Sequence, residues 1–93
     1  MIQYELEYSS DFKEDIERLK KAGDVKALKK IAALLLELVE HPTTGTGKPE
    51  PLSGNRTGQW SRRITQKHRL IYFIEEQTVI VLLLSAYGHY DDK

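Results

Sequence analysis

The chain contains no cysteine, which excludes disulfide bonds and thiolate metal sites and gives no sign of an oxidising compartment. It also lacks a long apolar run, because the stretch VIVLLLSA from Val79 is far too short to span a bilayer. Its start, MIQYELEYSS, has no basic region followed by an apolar one, which a signal peptide would need. We therefore expect residues 1–93 to form one soluble, cytoplasmic domain with no membrane association.

The formal net charge of the chain is zero, but the charged residues are unevenly distributed along it. Residues 1–40 hold seven Lys/Arg against nine Asp/Glu, a net −2, and residues 73–93 hold one against four, a net −3. Residues 41–72 hold six Lys/Arg against Glu50 alone, a net +5. A basic centre of this kind can form a local phosphate-binding surface. The alternative is a solvated loop with surplus Lys and Arg.

Hydrophobic spacing predicts a strand followed by a helix in the first quarter of the chain. Residues 2–8 alternate between apolar and polar side chains, which is typical of a strand with one buried face. The N-cap candidates for the helix are Ser9, Ser10 and Asp11. Its apolar positions are Phe12, Ile16 and Leu19. Gly23 suits the C-terminus of this helix.

A second helix should follow, capped by Asp24 and stopped by Pro42. Its predicted apolar stripe consists of Val25, Leu28, Ile31, Ala32, Leu35, Leu38 and Val39. The short connection at residues 22–24 predicts that the two helices form an antiparallel hairpin.

The second half of the sequence predicts a loop and three strands. Gly, Pro, Thr and Ser dominate residues 41–58, which indicates a loop. Residues 59–65 and 68–74 are predicted to form a hairpin around Gln66 and Lys67, and residues 78–86 are apolar on both faces, as in an interior strand. The order βααβββ predicts an α+β fold, with the helical hairpin on one face of a mainly antiparallel sheet.

Side-chain alternation in the β-hairpin places two arginines together. The residues predicted to face the helices are Trp60, Ile64, Leu70, Tyr72 and Ile74, and those predicted to face away are Ser61, Arg63, Thr65, Arg69, Ile71 and Phe73. This assignment requires Arg63 to lie opposite Arg69, where the pair could clamp a phosphate. Arg62 then falls on the core side, and we expect it at the rim.

No metal or cofactor site is predicted. The three histidines, His41, His68 and His89, are scattered, and no HExxH or paired-carboxylate spacing occurs. Glycine patterns typical of nucleotide phosphate loops are absent too.

The remaining chemistry-bearing residues suit phosphoryl transfer within RNA. Glu50 is held between Pro49 and Pro51 and can act as a base, and His89, with an ordinary pKa of about 6.5, can act as an acid near neutral pH. Tyr90 can stack on a base or orient a phosphate. Each residue also has a plain alternative: a surface Glu paired with Lys48, a tail histidine without a role, and a tyrosine that only packs.

Four blocks of the sequence, in order, resemble the YoeB/Txe family of the RelE superfamily of bacterial toxins. They are GKPEPL from Gly47, WSRRIT from Trp60, HRLIY from His68, and the pair His89-Tyr90. The resemblance implies a RelE-like fold, similar to that of microbial ribonucleases. It also implies a ribosome-dependent endoribonuclease that cuts mRNA in the A site and so inhibits translation.

The resemblance also implies residue roles. Glu50 matches the family's general base, Arg69 its transition-state arginine, His89 its general acid, and Tyr90 the terminal tyrosine of its active site. Lys48 and Arg63 match family residues that contact RNA phosphates. Apart from the resemblance, Arg62 and Lys67 are also expected to bind RNA phosphates. The expected partners are mRNA, the ribosome, an antitoxin of the YefM/Phd type and a second copy of the chain.

Two other functions remain open at this point. A gyrase-inhibiting toxin shares this fold, but it lacks the acid–base set. A non-catalytic RNA- or ribosome-binding module would need no such set at all.

Overall fold

The computed structural model of the chain describes residues 3–66 and 68–85. Within these residues one strand precedes two helices, and four further strands follow. The elements are β1 (Glu5–Tyr8), α1 (Ser10–Ala22), α2 (Val25–Glu40), β2 (Glu50–Pro51), the 3-10 turn Gly54–Arg56, β3 (Gln59–Arg63), β4 (Arg69–Glu75) and β5 (Thr78–Ser85). Ile2 and Ala86, the predicted outer ends of the first and last strands, lie outside the described residues. No helix in the described part is long and apolar enough to cross a membrane.

Short polar residues and one glycine define the ends of the two helices, as predicted. The Ser9 hydroxyl accepts a hydrogen bond from the N–H of Phe12 at 3.0 Å and so caps α1. Gly23 ends α1 with a φ of 72°, a left-handed conformation that glycine adopts without a steric penalty. Asp24 caps α2 by accepting from the N–H of Ala27 at 3.1 Å. The predicted connection at residues 22–24 is therefore confirmed.

The buried face of α2 differs from the predicted stripe. The buried residues of α2 are Ala27, Ile31, Leu34 and Leu38. Val25 is 57% exposed and Ala32 is also exposed, although both were predicted to lie in the stripe. Apolar residues cover most of the circumference of α2, including three leucines in a row at 34–36, so their spacing does not select one face.

The five strands form one sheet in the order β1-β5-β4-β3-β2. All neighbouring strands are antiparallel except β1 and β5, which are parallel. β5 lies between β1 and β4, which confirms the interior position predicted from its apolar sequence. The predicted α+β class, with two helices packed on a mainly antiparallel sheet, is confirmed.

The segment predicted as a loop at residues 41–58 contains the short strand β2. Glu50 and Pro51 pair with Ser61 and Trp60 at the edge of the sheet. Leu52 extends the contact by donating its N–H to the carbonyl of Gln59 at 2.8 Å. Alternation of apolar residues cannot identify a two-residue strand, so the predicted order βααβββ was incomplete.

The two faces of the β3–β4 hairpin are those predicted. Arg63 lies opposite Arg69, which is the register that the alternation required. The predicted helix-facing residues all belong to the core or pack against it: Ile64, Leu70 and Tyr72 are buried, and Trp60 and Ile74 are partly buried. The residues of opposite parity, including both arginines, therefore occupy the face of the sheet away from the helices.

Candidate functional site

Arg63 and Arg69 form a cross-strand pair on the sheet face away from the helices. The N–H of Ile64 donates to the carbonyl of His68 at 2.9 Å, so the neighbouring Arg63–Arg69 pair is of the non-hydrogen-bonded type. Residues paired in this way have Cα atoms only about 4.5 Å apart, which brings their side chains close together. Arg63 is exposed and Arg69 is half-buried. Two guanidinium groups so close together favour an anion bound between them.

Glu50 reaches the same face from the edge strand β2. Its register partner is Ser61, which lies two residues before Arg63 on β3, so Glu50 and both arginines share one face. Strand spacing and rise place the backbones of Glu50 and Arg69 about 12 Å apart. Both side chains are long enough to meet a group bound between them. The carboxylate of Glu50 is exposed, and it is therefore accessible to a substrate.

Lys48 stands beside this group on a strained backbone. Its φ of 53° is rare for a residue other than glycine, and strain of this kind is concentrated at functional sites. The preceding residue, Gly47, has a φ of 83°, and its carbonyl accepts a 2.7 Å hydrogen bond from the N–H of Arg63. A Cβ at Gly47 would lie 2.8 Å from the carbonyl oxygen of Arg63, so a glycine is required for this close approach. The exposed Lys48 is thereby held next to β3.

Arg62 is not at the rim, and it is not placed to bind phosphate; both predictions are wrong. Its side chain is fully buried at 0% exposure. Arg62 Nη1 donates to Glu37 Oε1 at 2.8 Å and to the carbonyl of Thr46 at 3.3 Å. Nη2 donates to the carbonyl of Thr44 at 2.6 Å and to that of His41. These acceptors compensate for burying the charge, and they tie the connection after α2 to β3.

Tyr72 completes this buried network. Its hydroxyl donates to the carbonyl of Pro42 at 2.6 Å and accepts from Arg62 Nε at 3.3 Å. Burial raises the pKa of Tyr72, because the charged phenolate would lose its hydration, although Arg62 opposes this. The pKa of Glu37 is lowered, mainly by a hydrogen bond from the Thr46 side chain. Burial acts in the opposite direction and raises this pKa. The Thr46 N–H and Arg62 lower it further.

We expect the stability of the protein to fall at both ends of the pH range because of these two groups. The lowered pKa of Glu37 gives stability that is present above its ordinary value of 4.5 and is lost as pH falls below it. The raised pKa of Tyr72 gives stability that is present below its ordinary value of 10.0 and is lost as pH rises above it. Urea unfolding at a series of pH values measures the loss of stability at low pH, the acid limb, and at high pH, the alkaline limb.

Single substitutions separate the two limbs. Glu37→Gln should weaken the acid limb only, and Tyr72→Phe should weaken the alkaline limb only. Glu14→Gln, an exposed substitution on α1, is the matched control and should leave both limbs unchanged. An acid limb equally steep in Glu37→Gln and in the parent chain would contradict the assignment to Glu37.

Three predicted site residues, Lys67, His89 and Tyr90, lie outside the described residues. Their roles therefore stay predictions. Within residues 3–66 and 68–85, no group of three His, Cys, Asp or Glu side chains is placed to hold a metal ion. The structure thus brings together Glu50, Arg63 and Arg69 on one face, with Lys48 alongside them.

Sequence reasoning missed Ser61. This residue was assigned to the correct face but given no role. Its side chain is fully buried, and Oγ has no hydrogen-bond partner in the described part of the chain. A buried hydroxyl without a partner is uncommon in folded proteins. The pairing of Ser61 with Glu50 depends on β2, and no pattern in the sequence indicates this two-residue strand.

Comparison with known proteins decides the family. Residues 8–90 match the family described as "YoeB-like toxin of bacterial type II toxin-antitoxin system". The chain belongs to this family. The toxin YoeB from Synechocystis is 45% identical to it over 68 residues, which are 73% of this chain and 77% of that protein.

Solved structures of YoeB toxins share the fold. A YoeB/ParE toxin from Agrobacterium tumefaciens superposes with a TM-score of 0.81 at 34% identity, covering 92% of this chain and 99% of that one. The YoeB dimer from Staphylococcus aureus gives 0.78 at 34% identity, covering 95% and 99%. A YoeB toxin from S. aureus in a heterotetrameric YoeB–YefM complex gives 0.76, also at 34% identity and with the same coverage.

Proposed function

We propose that this YoeB-family chain is a ribosome-dependent endoribonuclease that cuts mRNA in the A site without a catalytic metal ion. One observation carries the proposal: a carboxylate, Glu50, and two guanidinium groups, Arg63 and Arg69, share the face of the sheet away from the helices. This combination provides a base and a concentrated positive charge at the same place. Both are needed to cleave a phosphodiester through the neighbouring ribose hydroxyl.

In the proposed reaction the ribose 2′-OH is the nucleophile. Glu50 accepts the 2′-OH proton as the oxygen forms a bond to phosphorus. Arg69 stabilises the negative charge that develops on the phosphorane oxygens. The bond from phosphorus to the 5′-oxygen then breaks, and His89 gives its proton to that oxygen. The products are a 2′,3′-cyclic phosphate and a 5′-hydroxyl.

The remaining site residues would bind and orient the RNA. Lys48 and Arg63 are exposed beside Glu50 and suit contacts with the flanking phosphates. We expect Lys67 to join these contacts, and family resemblance adds Tyr90 to the active site. His89 follows Ser85, the register partner of Arg69, by four residues, which span at most about 14 Å of extended chain. Chain length therefore allows His89 to reach the scissile phosphate.

We also propose partners by analogy with the YoeB toxins from S. aureus. These are known as a dimer and in a heterotetrameric complex with YefM. An antitoxin of the YefM type and a second copy of the chain are therefore proposed for this toxin too. An antitoxin segment that folds on binding can cover a large basic surface.

A ribosome programmed with a substituted mRNA tests the function directly. The chain should cut the mRNA in the A site, and a 2′-deoxy substitution at the cut position should abolish cleavage without weakening binding. The cause is the loss of the nucleophile, since the phosphate contacts remain. Product ends are analysed by gel mobility before and after phosphatase treatment.

Two controls accompany this experiment. Free Mg²⁺ is held constant while a transition-metal chelator is added, and cleavage should persist. A gyrase supercoiling assay with the same protein should show no inhibition. Normal cutting of the 2′-deoxy mRNA would mean that water is the nucleophile and would overturn the proposed roles.

A further inference from the structure

Ser61 occupies the centre of the proposed active face, yet its hydroxyl is unused. The residue is fully buried, and within the described residues its Oγ makes no hydrogen bond. On one side its register partner is Glu50, and on the other it is Ile71. Because Ile71 has no polar side-chain atom, the Glu50 carboxylate is the acceptor that the sheet places opposite this hydroxyl.

The geometry allows contact between these two side chains. Directly paired residues on one face have Cβ atoms about 4.5–5.5 Å apart. Oγ of Ser61 extends one bond from its Cβ, and the carboxylate of Glu50 can fold back over two methylene groups. Glu50 is exposed, so few packing contacts restrict its rotamer.

We propose that Ser61 is a positioning residue whose hydroxyl donates a hydrogen bond to the Glu50 carboxylate when RNA covers this face. This inference rests on the proposed function, because it concerns the general base of the same reaction. Bound RNA removes water molecules that donate hydrogen bonds to the Glu50 carboxylate. The Ser61 hydroxyl replaces one of these donors. One carboxylate oxygen is then fixed, and the other is directed toward the ribose 2′-OH.

The substitution Ser61→Ala separates positioning from folding. Its hydroxyl has no partner in the described residues, so removing it should leave the melting temperature unchanged or slightly higher. Single-turnover cleavage on the ribosome should fall by about tenfold, since a hydrogen bond to a charged group is lost. Affinity for the ribosome should not change. Ser61→Cys, which keeps a side chain of similar size but is a weak donor, should resemble Ser61→Ala.

The pH–rate profile gives a readout that a purely structural role would not change. A hydrogen bond to the charged form lowers the pKa of a carboxyl, so its loss in Ser61→Ala should move the acidic limb to higher pH. In a Glu50→Gln background, Ser61→Ala should have no further effect on the rate, because Ser61 acts through Glu50.

The outcomes distinguish this inference from the proposed function. A parent chain that does not cut mRNA would overturn both. If the parent cuts and Ser61→Ala cuts at the same rate with the same pH profile, only the role of Ser61 is wrong. A fall in cleavage accompanied by an equal loss of stability, or one that persists in the Glu50→Gln background, would likewise refute positioning through Glu50.

Discussion

Replacing Arg69 with alanine should lower the single-turnover rate of mRNA cleavage by about 100- to 1,000-fold while ribosome affinity changes little. Arg69 lies on the sheet face away from the helices, opposite Arg63 and on the same side as Glu50. Its charge matters most in the transition state, when the phosphorane carries additional negative charge. The measurement is the rate of A-site cleavage with toxin in excess over programmed ribosomes.

Two further variants establish that the charge at this position causes the loss. Arg69→Lys keeps the charge but not the two-pronged geometry of the guanidinium, and should recover part of the rate. Arg18→Ala removes one positive charge from the exposed surface of α1, and should cut at the parental rate. Equal losses of cleavage rate in Arg69→Ala and Arg18→Ala would show that net charge alone governs the reaction. This result would contradict the proposed role of Arg69.

Arg62→Met should be strongly destabilising, lowering the free energy of unfolding by about 3–5 kcal/mol. The substitution leaves Glu37 without its cationic partner and removes the donors to three backbone carbonyls. A domain of this size has a total stability of only about 5–14 kcal/mol, so a large part of it would be lost. Urea unfolding monitored by Trp60 fluorescence measures the change.

The neighbouring arginine provides the matched control. Arg63→Met makes the same chemical change one residue along the chain, but at an exposed position, and should alter stability by less than about 0.5 kcal/mol. A loss below about 1 kcal/mol in Arg62→Met would mean that water satisfies the freed groups, which would contradict the importance of this network.

Local rules were sufficient for much of the fold. Ser9, Gly23 and Asp24 end the helices where capping chemistry predicts. The Arg63–Arg69 register follows from alternation in the β-hairpin, since a shift by one residue would expose the core face. Each of these predictions depends on residues close together in the sequence, and for this reason each could be made without the structure.

The predictions that failed depend on distant contacts. The apolar residues of α2 surround the helix, and packing against α1 and the sheet selects Ala27 and Leu34 over Val25. Arg62 was expected at the rim because a buried charge is unfavourable. Its acceptors, Glu37 and the carbonyls of residues 41–46, come from a segment at least 16 positions away, which sequence patterns do not reveal.

In the candidate site, too, some residues could be predicted from the sequence and others could not. Glu50, His89 and Tyr90 were singled out by their chemistry, and the family resemblance assigned roles to them and to Arg69. The structure brings Glu50 and Arg69 to one face. His89 and Tyr90 lie outside the described residues. The proposed role of Ser61 was missed because it depends on β2, which is too short to produce a pattern.

The prolines that flank Glu50 also affect how the sheet edge can associate with other chains. Along an antiparallel strand, backbone N–H groups point alternately inward and outward, and Leu52 donates inward to Gln59. The outward positions of this segment are therefore 49 and 51, and both are proline, which has no N–H. An added strand would find no donors there, so edge-to-edge aggregation is blocked on the side that carries the carboxylate.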